Sequence, residues 1–204
     1  MYKFFVTKNQ IEESKAKIVG KDVNHIANVL RLNKTDKIIL CNKDENISYE
    51  AEITQISKEY IICSIISKIL ENVESNVSVD IYQGIPKMDK MEYIIQKATE
   101  LGVKNIYPVT MDRCIVKLDN KTSNKKIERW NKIAEVAAKQ SKRDFIPNIE
   151  NFINIDNICK NAEKYDIILI AYENEKAVTL KDEIKKLNKN ENLKHILERT
   201  KALT

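Results

Sequence analysis

Residues Val77 to Thr110 read VSVDIYQGIPKMDKMEYIIQKATELGVKNIYPVT, and the hydrophobic period changes twice within them. VSVDIYQG is strand-like, with apolar side chains at alternate positions. From Asp89 the period becomes helical, and Met88, Met91, Ile94, Ile95, Ala98 and Leu101 trace one face. Asp89 with Glu92 three residues on has capping-box spacing, and Gly102 falls where a helix ends in a left-handed residue. NIYPVT is again strand-like. A strand, a helix and a strand in such close succession predict a crossover unit with parallel strands, hence an α/β domain. Lys90, Lys97 and Glu100 lie off the apolar face. The three-residue spacing of Lys97 and Glu100 allows two readings, an intrahelical ion pair or a polar helix end beside a substrate cleft.

Downstream the alternation continues. MDRCIVK puts Arg113 just beyond a strand's carboxyl end, where open α/β sheets bind ligands. A long helix follows through ERWNKIAEVAAKQ, then the strand YDIILIAYE ending at Glu173, then a final helix through AVTLKDEIKKLN. Upstream, YKFFV, KIIL, ISYEAEITQIS and EYIICSIIS are strand-like and predict a compact β-barrel-like module. One helical turn interrupts them. Asp22 is its expected cap, Val23, Ile26, Ala27 and Leu30 point inward, and His25 and Arg31 are left freer. The polar stretch ENVESN marks the expected boundary between domains of residues 1–74 and 75–204.

Composition removes several functions. The chain of 204 residues has only three glycines, Gly20, Gly84 and Gly102, so it carries neither a phosphate-binding P-loop nor a dinucleotide-binding glycine turn. Two distant histidines, His25 and His195, suggest no metal site, and no serine-elbow motif occurs. Cys41, Cys63, Cys114 and Cys159 show no paired spacing and read as reduced thiols. No apolar run approaches the roughly 20 residues of a membrane span, and MYKFFVTKN has no signal-peptide core. A cytoplasmic protein is expected.

The net charge of +5 is unevenly placed. Residues 1–74 are neutral. Between residues 120 and 145 lie eight basic side chains (Lys121, Lys125, Lys126, Arg129, Lys132, Lys139, Lys142, Arg143) against three acidic ones (Glu128, Glu135, Asp144). On a helix, Ile127, Trp130, Ile133, Ala134, Ala137, Ala138 and Ser141 form one face, while Lys125, Arg129, Lys132, Lys139 and Arg143 form a basic stripe opposite. Such a stripe suits a phosphate backbone or is an ordinary solvated face.

Three segments in order, QGIPKMDKMEYIIQKATELGVKNIYPV, DRCIVK and ERWNKIAEVAAKQSKRDFIP, resemble the successive motifs of bacterial RsmE-type ribosomal RNA methyltransferases, members of the knotted SPOUT superfamily. HIANVLRLNKTDKI is similar to that family's first, PUA-like domain, and the resemblance runs from Met1 to about Glu173. It implies a homodimer, without metal, that methylates ring nitrogen 3 of a uridine in 16S ribosomal RNA, free or in the assembled small subunit, using S-adenosylmethionine. By matched motif, Glu100, Arg113 and Arg143 are the catalytic candidates. Glu173, Leu197 and Thr200 are the cofactor candidates. His25, Arg31, Lys90, Lys97, Lys125, Arg129, Lys132, Lys139, Gln140 and Ser141 are the RNA candidates.

The chemistry asks for help in removing the nitrogen 3 proton and for a cation to stabilise the resulting uridine anion. That nitrogen lies on the pairing edge, so the base must be unpaired or flipped out. The family continues with a glycine-rich GPEGG segment and an LGPRILRTETA loop that thread the knot and hold the cofactor. This chain has neither in recognisable form, and LKHILERTKALT echoes only part of the second. An incomplete or altered knot is therefore expected, and the alternative function is that of a non-catalytic RNA-binding relative.

Overall fold

The computed structural model describes residues 1–70, 73–86, 90–111, 120–171 and 195–200, the last of these as backbone. The chain divides into two compact units, Met1–Glu74 with Lys142–Phe145, and Ser75–Ser141 with Ile146–Thr204.

The first unit is one six-stranded sheet. Its strands are β1 (Lys3–Val6), β2 (Ile11–Glu12), β3 (Lys15–Val19), β4 (Lys37–Asn42), β5 (Ile47–Ile56) and β6 (Tyr60–Ile69), in the order β1-β4-β5-β6-β3-β2. Register shifts at Glu50/Ala51 and Ile53/Gln55 bulge the long β5–β6 pair and curl the sheet into a half-barrel. Ile18, Ile26, Ile38, Leu40, Ile53 and Ile61 fill its concave side, each contributing about 1.5–3 kcal/mol by burial. β3 is KAKIV with Ala16 and Ile18 buried between exposed neighbours, a strict alternation that the sequence reading passed over.

The helical insert also differs from expectation. Helix α1 (Lys21–Asn24) starts after Gly20, whose φ of 77° is a conformation glycine tolerates, so Asp22 sits in the first turn instead of capping it. It continues as a wider π-type turn over His25–Val29, which buries Ile26 and leaves His25 and Arg31 exposed as predicted.

Residues 142–145 complete this unit through charge. Lys3 Nζ donates to Asp144 Oδ1 at 2.6 Å and to the Lys142 carbonyl at 2.8 Å. Ser48 also donates to Asp144 Oδ1, and Cys41 Sγ donates to the Asp144 carbonyl at 2.8 Å. Arg143 grips Glu74, Nη2 to Oε2 at 2.6 Å and Nε to Oε2 at 3.1 Å, and Glu74 Oε1 accepts the Asp144 amide at 3.0 Å. Lys3, Arg143 and Asp144 are all buried, so each charge needs its partner to offset desolvation. Burial also pushes the Cys41 thiol up to about 11 and that of Cys63 to about 12, which leaves both as inert packed thiols.

The second unit is a parallel α/β domain. Strands β7 (Ser78–Gly84), β8 (Asn105–Val109), β9 (Asn148–Ile149), β10 (Ile167–Ala171) and β11 (His195–Thr200) form one sheet in the order β10-β11-β7-β8-β9. Helices α2 (Lys90–Glu100) and α3 (Asn120–Gln140) pack on one face, where Met91, Ile95, Ala98, Trp130 and Ala134 meet Ile106 and Ile149. Ala134, Ala137 and Ala138 are buried, and their small side chains let α3 lie close. The other face carries Tyr82, Val109 and Ile158, the last from the short helix α4 (Ile155–Lys160).

Helix α2 closes as expected. Gly102 has a φ of 99°, its amide reaches Thr99 O at 3.1 Å, and the Val103 amide reaches Ala98 O at 3.0 Å, a Schellman ending. Leu101 does not join the core but is 87% exposed, because the closing turn lifts it clear of the apolar face. Met88 and Asp89 lie outside the described residues, and both Glu92 oxygens are taken by Arg129. The proposed final helix, 177–188, also lies outside them. HILERT, read only as a remnant, is instead the strand β11 between β10 and β7.

Candidate active site

Parallel strands place their carboxyl ends along one edge. Here that edge is formed by Gly84 of β7, Val109 of β8, Ala171 of β10 and Thr200 of β11, with Gly84 level with Val109 and Thr200 level with Gln83 and Ala171. From β7 the chain moves outward through β8 to β9, then crosses the sheet to β10 and steps in to β11, so β7 and β11 are neighbours at which two separate runs of strands meet. Ligands of open α/β sheets bind outside the carboxyl ends.

The neighbouring groups are held firmly. Gln83 is buried and its Nε2 donates to the Gly84 carbonyl at 2.7 Å. The Thr110 amide and hydroxyl both donate to Ile153 O, at 2.8 and 3.1 Å. Lys90 begins α2 at this edge and is exposed. Arg113 and Glu173 follow the ends of β8 and β10 in sequence and lie outside the described residues.

The opposite, amino-terminal edge holds a different set. Helix α2 runs back along the sheet, so its last residues arrive where β8 begins, and the Lys104 amide bonds Val79 O at 2.8 Å. Lys97 and Glu100 are therefore at the far end of the sheet from Gly84 and Thr200. Lys97 Nζ is 2.7 Å from Glu100 Oε2 and Gln96 Nε2 is 2.9 Å from Oε1. The lysine bond, then the glutamine bond, hold the Glu100 carboxyl below its ordinary range, and the same pairing raises Lys97. A lowered carboxyl is a weaker base, so neither place nor basicity suits Glu100 to take a proton from uracil.

Helix α3 makes the same return, since β9 pairs with β8 at Asn105 and Ile106. Gln140 and Ser141 thus lie towards the amino-terminal side. Ser141 Oγ donates to Ala137 O at 2.8 Å, closing the helix end, and Lys142 turns left-handed with a φ of 59°. Arg143 belongs to the first unit, where its guanidinium is paired with Glu74. Leu197 pairs with Ile168 and Asp80 in mid-strand, three residues short of the carboxyl edge, and so is in line with the sheet's body.

The basic stripe is partly occupied. Arg129 forms a two-pronged pair with Glu92, 2.7 and 2.9 Å, and Lys139 pairs with Glu135 at 3.0 Å. Lys125 and Lys132 are exposed and face no carboxylate within bonding distance among the described residues.

Reading the sequence missed a buried polar network towards the amino-terminal ends of the strands. Tyr82 stacks on Tyr107 with centroids 4.3 Å apart, and the Tyr82 and Tyr165 hydroxyls are 2.9 Å apart. Tyr165 donates to Asp80 Oδ2 at 2.7 Å, and Asn105 donates to Oδ1 at 2.8 Å. These bonds tie β7, β8 and the segment entering β10 into one frame. Burial comes first in raising the tyrosine hydroxyls, Tyr107 to about 12, with the Asp80 charge adding to it. The signal was available in VSVDIYQG, where Asp80 and Tyr82 alternate on one side of a strand with no apolar partner between them.

Two family profiles match, an RNA methyltransferase PUA domain over residues 18–66 and an RNA methyltransferase domain over residues 73–198. The chain is also 40% identical over 176 residues to ribosomal RNA small subunit methyltransferase E of Bacillus subtilis, covering 85% of this chain and 68% of that protein. The chain belongs to the ribosomal RNA small subunit methyltransferase E family. It spans between 56 and 73% of the length of four curated members that it matches. The family member from Neisseria gonorrhoeae, solved bound to S-adenosyl methionine, superposes with a TM-score of 0.79 at 25% identity, covering 98% of this chain and 80% of that one. A putative methyltransferase from Legionella pneumophila, solved with its bound cofactor SAM, gives a TM-score of 0.80 at 25% identity, covering 97% of this chain and 78% of that one.

No described helix is long and apolar enough to cross a membrane. Among the described residues no group of three or more His, Cys, Asp or Glu is placed to hold a metal.

Proposed function

We propose that this family member transfers a methyl group from S-adenosylmethionine to ring nitrogen 3 of a uridine in 16S ribosomal RNA, as a cytoplasmic homodimer. The observation that carries the reading is the meeting of the carboxyl ends of β7 and β11 side by side, in a chain 40% identical to a small-subunit RNA methyltransferase. The strand ends fit the cofactor. Gly84 presents backbone without a side chain, and the Gln83 amide is turned back onto the Gly84 carbonyl, so it does not fill the edge. Gly84, Thr200 and Glu173 would flank the bound group, which supplies an electrophilic methyl.

The chain's own residues do the rest. Arg113, beyond the end of β8, stabilises the negative charge that develops on the uracil ring as nitrogen 3 loses its proton. Lys90 at the start of α2 steers RNA phosphate to this edge. His25 and Arg31, exposed on the first unit, contact the RNA away from the reacting base. Arg143 supports the fold that presents them, because its charge is committed to Glu74.

The domains divide the work as an RNA-binding unit of residues 1–74 and a methyl-transfer unit of residues 75–204, with Lys142–Phe145 completing the former. The match of an RNA methyltransferase PUA domain over residues 18–66 also supports a second reading, RNA binding without transfer. Mass spectrometry of 16S ribosomal RNA from cells with and without the gene separates the two. Loss of one methyluridine on deletion supports transfer, and an unchanged nucleoside profile supports binding alone.

A further inference from the structure

Helices α2 and α3 both run back from the carboxyl edge, and a groove of 610 Å³ lies along them. Its floor is apolar, made by Ile133, Val136 and Ala137. Val136 is 62% exposed there, an apolar side chain that a folded monomer gains nothing by presenting to water. Lys125 and Lys132 also line it, beside Glu128 and an Arg129 that is paired with Glu92. Arg129 is braced by Glu92 across the two helices, which fixes one wall.

An apolar floor beneath a lysine rim matches single-stranded nucleic acid, whose unpaired bases offer apolar faces while its phosphates offer negative charge. A duplex hides its base faces and would engage the rim alone. A second copy of this chain fits less well, because a self-complementary contact would bring two lysine rims together.

We propose that this groove binds an unpaired stretch of the RNA substrate, with bases against Ile133 and Val136 and phosphates on Lys125 and Lys132. The proposal rests on the RNA-methylation reading above and extends it to a second place on the same unit. Helix α3 leaves the sheet's carboxyl side, so Lys125 marks the groove's end nearer the transfer edge and Gln140 its far end, about 22 Å away at 1.5 Å per residue. The strand flanking the target uridine runs along it.

The test is a set of fluorescence-anisotropy titrations of the full chain at several salt concentrations, with an oligouridine of roughly a dozen nucleotides and with an RNA duplex of the same length. Lys125→Gln with Lys132→Gln should flatten the log–log salt slope for the single strand by about 1.4, two phosphate contacts at about 0.7 each. Val136→Asn should weaken the single strand by about threefold, leaving the slope and duplex binding unchanged. All three side chains are exposed, so an unchanged melting temperature checks that the variants fold. If the wild-type chain binds RNA and the variants match it in slope and affinity, the groove is overturned while the RNA reading stands. If the wild-type chain binds neither RNA, both are overturned. If Val136→Asn leaves RNA affinity intact but shifts sedimentation to a smaller species, the occupant is a second copy and the RNA proposal is overturned.

Discussion

The two edges of the parallel sheet carry different kinds of chemistry. At the amino-terminal edge, Lys97, Gln96 and Glu100 satisfy one another, and Ser141 closes its own helix. At the carboxyl edge, four strand ends stop together, with Gly84 and Thr200 on the neighbouring strands β7 and β11. Groups that complete each other's hydrogen bonds have little left to offer a substrate. Strand ends have backbone groups pointing outward, and there a ligand replaces water. The contrast explains why motifs that mark a family in sequence need not all touch its reaction.

Substitutions should therefore separate into those that loosen the fold and those that weaken the ligand. The largest loss of stability should come from Asp144→Ala, which strips Lys3 of its buried partner and removes an acceptor from Ser48. Urea unfolding should show a loss of about 3–5 kcal/mol. A loss below about 1 kcal/mol would show that the network is solvated.

Tyr165→Phe removes one hydrogen bond from the buried Asp80 carboxylate, level with the start of β8. It should lower stability at neutral pH by about 1–3 kcal/mol. The same network sets the alkaline limit. The tyrosine hydroxyls are raised on folding, so their contribution is complete below the ordinary tyrosine value of 10.0 and is lost as pH climbs through the folded value, about 12 for Tyr107. The wild-type melting temperature should fall across that window, and the fall should be smaller in Tyr107→Phe.

At the ligand end, Thr200→Val should weaken S-adenosylmethionine by about tenfold, the loss of one hydrogen bond, without moving the unfolding midpoint. Calorimetry and a melt on the same sample read both. The smallest effect belongs to the other edge. Glu100→Gln should keep turnover within about twofold of the parent across pH 6–9, since a carboxyl at the amino-terminal edge does not meet the uracil proton. Loss of turnover with an altered pH profile would return Glu100 to the reaction.

Much of the fold could be read from the residues. The switch from alternation to a 3.6 period in Val77–Thr110 fixed strand, helix and strand, and Gly102 ended the helix where expected. Two strands escaped for different reasons. KAKIV was short, with lysine at two of its five positions, although its alternation was complete. HILERT was charged and looked like a loop, yet it occupies the middle of the sheet, where pairing with both neighbours outweighs propensity.

The site was harder to read. Lys97 and Glu100 share one motif with the β7 strand end in sequence, but a helix of eleven residues carries them about 16 Å back along the sheet. Arg143 was read as an extension of the basic helix. A left-handed turn at Lys142 instead hands it to the first unit, where Glu74, nearly seventy residues upstream, is waiting. Neither displacement has a local signature, because both depend on contacts distant in sequence.

The central claim is that ligand binds at the carboxyl ends of β7 and β11 and not at the returning ends of α2 and α3. Amide hydrogen exchange with and without saturating S-adenosylmethionine tests it most directly. Slower exchange at residues 83–86, 109–111 and 199–200, with residues 99–104 and 139–141 unchanged, is the predicted result. Protection confined to residues 99–104 and 139–141, with the β7 and β11 ends unaffected, would contradict it.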